Sequence, residues 1–143
     1  MAGDINRIVL DASIAIAWCF EDEKTTLTEA VLDLLAGGAE AVVPAIWPLE
    51  VANALLSAER RKRITVAQTA AFLGRLSGFP ILVVPASPES VFDQILTRAR
   101  TERLTTYDAS YLDLTLREAV PLATLDDDLK RAAIGLGLTV IAA

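Results

Sequence analysis

The chain has 143 residues, with 13 basic and 19 acidic side chains, one cysteine, no histidine and a formal net charge of −6. That length suits a single domain, 1–143, with a core that needs no disulfide, and the lack of histidine excludes Ser–His and Cys–His nucleophile pairs. The negative balance argues against gripping nucleic acid by overall field, although local basic strips can still act and each bound divalent ion would offset two charges.

The first residues, Met1 to Arg7, include Asp4 and no apolar run behind a basic region, so a secretion signal is not expected and a cytoplasmic location is. Arg7 to Leu10 reads as a strand that runs into Asp11, followed by helices over 13–20 and 25–36, the second stopped by Gly37-Gly38. Cys19, in an apolar stretch and without a second cysteine, reads as a core residue of a reducing compartment. Ala41 to Val43 reads as a second strand. Residues 41–58 carry one charge, Glu50, but Pro44 and Pro48 split them into strand and helix start, too broken for a membrane span.

Helices over 47–62 and 66–77 follow, then a strand at Ile81 to Val84. Ser87-Pro88-Glu89 reads as a cap, a first-turn proline and an acid opening a helix over 88–103. A helix over 108–118, a strand from Val120 to Thr124, a helix over 127–135 and a strand from Leu138 to Ile141 complete the order. Five short strands alternating with helices predict an α/β fold around a central, mostly parallel five-stranded sheet. The apolar share of 53% suggests surface covered by a partner or a second copy.

Four acids stand where such a fold gathers functional groups, beyond the carboxyl ends of strands and at helix starts. Asp11 follows the first strand, where it either closes a turn or joins a site. Asp108 lies three residues after Thr105, which also matches a helix cap. Asp126 opens the triplet Asp126-Asp127-Asp128, whose members are favoured by a helix dipole in any case. Strand alternation selects Asp126 for a site and leaves Asp127 and Asp128 on the helix surface. Glu50 interrupts an apolar helix, so it is exposed or joined to a cation or donor. Asp113, five residues after Asp108, is expected round the helix in solvent.

Taken together, Val9-Leu10-Asp11-Ala12-Ser13, Glu50 within Pro48-Leu49-Glu50-Val51-Ala52-Asn53-Ala54, Tyr107-Asp108-Ala109-Ser110-Tyr111-Leu112 and Ala123-Thr124-Leu125-Asp126 resemble the PIN-domain ribonucleases, and more narrowly the VapC-type toxins. The resemblance covers essentially the whole chain. It implies a three-layer Rossmann-like fold, a homodimer, a cognate VapB-type antitoxin and metal-dependent endonuclease activity on RNA. It also implies that Asp11, Glu50, Asp108 and Asp126 form the acidic quartet, with Ser13 and Thr124 as hydroxyl companions.

Carboxylates without histidine suit Mg²⁺ or Mn²⁺, which can neutralise a phosphodiester and activate water without a side-chain base. Asp11 and Asp108 are expected as principal ligands, with Asp126 and Glu50 holding a second ion or orienting water, and Ser13 and Thr124 fixing carboxylate orientation. Arg60, Arg61 and Arg63 end the helix of Glu50, where cations complement the dipole; they are also candidates for RNA contact, as are Arg100 and Arg103. A receiver-like signalling domain would need a lysine after a late strand, but lysine occurs only at 24, 62 and 130. A haloacid dehalogenase-type phosphatase would need an acid where Ser13 stands. A catalytically silent interaction module is the remaining alternative.

Overall fold

The computed structural model describes residues 5–142. Its strands are β1 (Arg7–Leu10), β2 (Glu40–Pro44), β3 (Ile81–Val84) and β4 (Leu122–Ala123), all parallel and ordered β3-β2-β1-β4. Ile8, Val9 and Leu10 are wholly buried, because β1 is covered on both faces and flanked on both edges; a continuous branched apolar run is what such a position requires. Chain order moves outward from β1 through β2 to β3, then returns to the other side of β1 for β4. The reversal between β1 and β4 is the switch point at which parallel sheets open a crevice.

The helices are α1 (Ala12–Ala17), α2 (Thr26–Ala36), α3 (Trp47–Arg60), α4 (Val66–Leu76), α5 (Pro88–Ser90), α6 (Leu96–Glu102), α7 (Thr106–Glu118) and α8 (Asp127–Gly135). A π-helical turn, Val91–Ile95, joins α5 to α6. Local chemistry sets several starts: the hydroxyls of Thr25, Thr65, Ser87 and Thr105 each accept the backbone N–H three residues on. Pro48 lies in the first turn of α3, where no amide partner is needed. α1 packs on α2 and α3, while α7 lies against β1 and β2 and also touches α6 and α8.

Two expectations are corrected. The segment from Leu138 to Ile141 is not a fifth strand among the described residues: it makes one isolated parallel bridge, Val140 to Leu122. Its partner is too short: β4 has two ladder residues, and only Leu122 directs its N–H and C=O towards the segment, to Thr139 O and Ile141 N–H, while Ala123 faces β1. Asp113 is buried rather than solvated. α7 is covered continuously from Tyr111 to Thr115 by the sheet on one side and neighbouring helices on the other. Asp113 Oδ2 lies 3.0 Å from Arg117 Nε, without the alignment of a hydrogen bond. No helix among the described residues is long and apolar enough to cross a membrane.

Candidate active site: an acid cleft at the sheet switch point

Asp11 leaves β1 as the residue before α1, and its backbone N–H donates to Ala123 O at 2.9 Å, which ties it to β4. Its side chain is buried and held by two hydroxyls. Ser13 Oγ and Thr124 Oγ1 each donate to Asp11 Oδ2 at 2.6 Å. Both hydroxyls also accept: Ser13 takes Leu125 N–H at 3.0 Å and Thr124 takes Asp126 N–H at 3.0 Å. The turn after β1 and the turn after β4 are therefore stitched by hydroxyls whose protons all point at one carboxylate oxygen, leaving Oδ1 outside this bonding.

Glu50 sits in the first turn of α3, and its Oε1 accepts a 2.6 Å bond from the hydroxyl of Tyr111, a wholly buried residue of α7. The Tyr111 oxygen in turn receives a long 3.4 Å contact from Ala12 N–H, so α1, α3 and α7 meet at one phenol. Thr105 caps α7 by accepting Asp108 N–H at 3.1 Å, while the Asp108 carboxylate lines the cleft. Asp126 has two tasks: Oδ1 caps α8 by accepting Leu129 N–H at 2.8 Å, and the residue lines the same cleft. Asp127 and Asp128 are exposed, as their place in a first turn implies.

The cleft encloses about 540 Å³, and Asp11, Ser13, Glu50, Asn53, Asp108 and Asp126 contribute to its lining. All four acids of the sequence pattern thus share one address, with Thr124 buried behind Asp11. Burial and proximity together show in the proton affinities of Asp11, Glu50 and Asp108. Burial pushes the Asp108 carboxyl up to about 6, with the Asp126 and Asp11 charges adding to the rise. Burial also raises Asp11, against which the Ser13 and Thr124 hydroxyls pull downward, and Asp126 pushes it up again. Glu50 is raised by burial, opposed by the Tyr111 bond and supported by the Asp11 and Asp108 charges. Tyr111 is itself pushed well up by burial and by Glu50, which keeps it a proton donor.

Tyr111 and Asn53 escape the sequence reading. An aromatic residue inside an apolar helix reads as core, and the only signal for Tyr111 is its place one helical turn beyond Asp108. Asn53 stands one turn beyond Glu50 by the same spacing. The five arginines do not line the cleft. Arg63 is held elsewhere, with its guanidinium 4.1 Å from the Phe20 ring centroid and bonded to Asp22 and Glu23. Arg103 turns the chain at φ 58° after α6, and Arg60, Arg61 and Arg100 lie near their helix ends. No lysine lines the cleft, and the position that a phosphatase acid would take belongs to the Ser13 hydroxyl.

Among the described residues no three carboxylates are gathered closely enough to enclose one ion by themselves. The donor set nevertheless suits a hydrated hard cation. Mg²⁺ keeps several waters and is commonly held by one or two carboxylates, and the bonds to Asp11, Glu50 and Asp126 described above each engage one oxygen and leave the other for such a role.

A parallel sheet with acids gathered at its switch point defines an α/β protein built around an anionic cleft. The family model for the PIN domain matches residues 8–135, and the chain belongs to that family. Its fold is similar to that of PAE2754 from Pyrobaculum aerophilum, at 22% identity and a TM-score of 0.68 over 92% of this chain and 86% of that one. It is also similar to VapC20 of Mycobacterium tuberculosis, described as a sarcin-ricin loop cleaving toxin, at 13% identity and a TM-score of 0.63 over 95% and 99%. FitAcB from Neisseria gonorrhoeae is similar at 17% identity and a TM-score of 0.53 over 94% and 96%. At these identities the likeness is one of fold. No curated protein matches the chain in sequence.

Proposed function

We propose that this protein is a metal-dependent endoribonuclease acting as the VapC-type toxin of a toxin–antitoxin pair, with Asp11, Glu50, Asp108 and Asp126 as its acidic quartet. The observation that carries the reading is the convergence of these acids, from four separate stretches of sequence, on one cleft in a PIN domain. The fold it shares with VapC20 and FitAcB adds support.

Asp11 and Asp108 would be the principal holders of Mg²⁺ or Mn²⁺, with Glu50 and Asp126 holding a second ion or its waters. The bound ion supplies positive charge against the phosphoryl oxygens and acidifies water. The chain supplies orientation: Ser13 and Thr124 pin one Asp11 oxygen, Tyr111 pins one Glu50 oxygen, and the α8 amide of Leu129 pins one Asp126 oxygen. Carboxylates raised by burial, with mutual repulsion adding to the rise, gain most from a cation, which fits a site that prefers to be loaded. A VapB-type antitoxin and a second copy of the chain complete the reading, supported by exposed apolar side chains outside the cleft such as Leu82, Val83 and Phe92.

The test is cleavage of total cellular RNA by the purified protein with Mg²⁺ or Mn²⁺, beside an EDTA control and the Asp11→Asn variant. Discrete fragments are expected only from the native protein with metal. Asp11→Asn keeps the shape of Asp11 and is expected to remain folded by circular dichroism while losing metal affinity and cleavage; undiminished cleavage by that variant overturns the assignment.

A further inference from the structure

The acid cleft does not end at its carboxylates. Glu50 and Asn53 also line an adjoining hollow of about 240 Å³, whose other walls are Ile46, Leu49 and Tyr107. The hollow is an apolar shelf with an aromatic wall, opening directly beside an anionic trough. Tyr107 is the residue before Asp108 in the first turn of α7, and it is 59% exposed; Leu49, the residue before Glu50, is 67% exposed. Each large apolar side chain is thus the sequence neighbour of a cleft acid. α7 keeps Tyr111 wholly inside and holds Tyr107 outside. Capping by Thr105 and the first-turn Pro48 fix both backbones, so the shelf is preformed.

We infer, resting on the reading of the substrate as RNA, that this shelf is a nucleobase subsite. An unstacked base next to the scissile phosphate lays its face on the Tyr107 ring and its edge against Leu49 and Ile46. The Asn53 carboxamide, with one acceptor and two donor hydrogens, meets the polar edge of that base. Charge decides which part of the nucleotide enters: Glu50 at the rim repels a further phosphate and admits a neutral heterocycle. Bases inside an A-form duplex have no free face, so the shelf selects single-stranded or looped RNA, and stacking tolerates different bases while Asn53 discriminates among them.

The experiment measures kcat and KM on a short single-stranded RNA with a mapped cleavage site, and on the same RNA made abasic beside the cleaved bond. Tyr107→Ala is expected to raise KM roughly 5- to 150-fold with kcat unchanged, the range that loss of one aromatic stacking platform produces. Tyr107→Phe, which keeps the ring, restores the native KM. Removing the base should cost the native protein at least what Tyr107→Ala costs, and should cost that variant less than it costs the native protein, since the stacking contact is already gone. A native KM in Tyr107→Ala, or losses that simply add, overturns the subsite and leaves the ribonuclease reading standing. If Tyr107→Ala cleaves normally but sediments as a monomer where the native protein is a dimer, the shelf belongs to a second copy and the subsite is overturned. If the native protein cleaves no RNA in any metal, both readings fall together.

Discussion

Asp11 shows why single hydroxyls matter here. Its buried carboxylate depends on two protons delivered to one oxygen, and Thr124 delivers one of them while relieving the Asp126 amide. Thr124→Val keeps the volume and removes both bonds. A loss on the order of 2–3 kcal/mol in urea unfolding is expected, because a charged acceptor and a buried donor are left short; an unchanged midpoint would show that the two turns are not held by this hydroxyl. Tyr111→Phe removes the proton from Glu50 in the same way. It should lower Mn²⁺ affinity without altering the helical circular dichroism, and native affinity in that variant would remove Tyr111 from the positioning of Glu50. The acids were legible in the sequence because each breaks an apolar run or opens a helix. Their hydrogen-bond partners were legible only in part: Ser13 lies two residues from the acid it serves and Thr124 stands two residues before Asp126, but Thr124 and Tyr111 act on carboxylates 113 and 61 residues away.

At the scale of elements, the strands and helices followed from branched runs, prolines and caps, and their bounds differ from expectation where a local signal was outweighed. The stretch from Leu138 to Ile141 has the composition of a strand, but strand formation needs a partner of matching length, and the two-residue β4 does not supply one. Asp113 has the composition of a surface residue on a helix with no surface there. The end of α7 carries a different tension: Ala119 closes the helix at φ 54°, a left-handed conformation that favours glycine. Ala119→Gly relieves that strain but frees the unfolded chain, and the balance is a gain of about 0.5–1 kcal/mol. The check is the urea midpoint, which should rise with an unchanged slope; a fall would mean that the Ala119 side chain makes contacts worth more than its strain.

The whole molecule carries the electrostatic cost of its cleft, and pH reveals it. Asp108 has a folded value near 6 against about 3.9 in an unfolded chain, so between these values the folded state holds a proton that the unfolded state has released. Stability therefore falls as pH rises through that window and is greatest at its acid end. With divalent ions chelated by EDTA, the melting temperature is expected to be higher at about pH 5 than at about pH 7, and Asp108→Asn should flatten the difference. Adding Mg²⁺ at neutral pH should raise it again, since a cation that binds only the folded state shifts the equilibrium toward it. An EDTA-treated protein whose melting temperature climbs with pH across this interval would contradict the crowding of charge described for the cleft.

The bond from Thr124 to Asp11 spans 113 positions of sequence. No fragment that stops short of Thr124 can make it, however well its first strand and helices form. During synthesis at roughly 5–20 residues per second, many seconds separate the emergence of the first acid from that of the last. A nascent chain on the ribosome therefore carries its acids apart, and the complete cleft exists only once Thr124 and Asp126 have left the exit tunnel. For a protein read as an enzyme that attacks cellular RNA, that delay separates the folding of the first strand from the assembly of the cleft, which waits for Thr124 and Asp126.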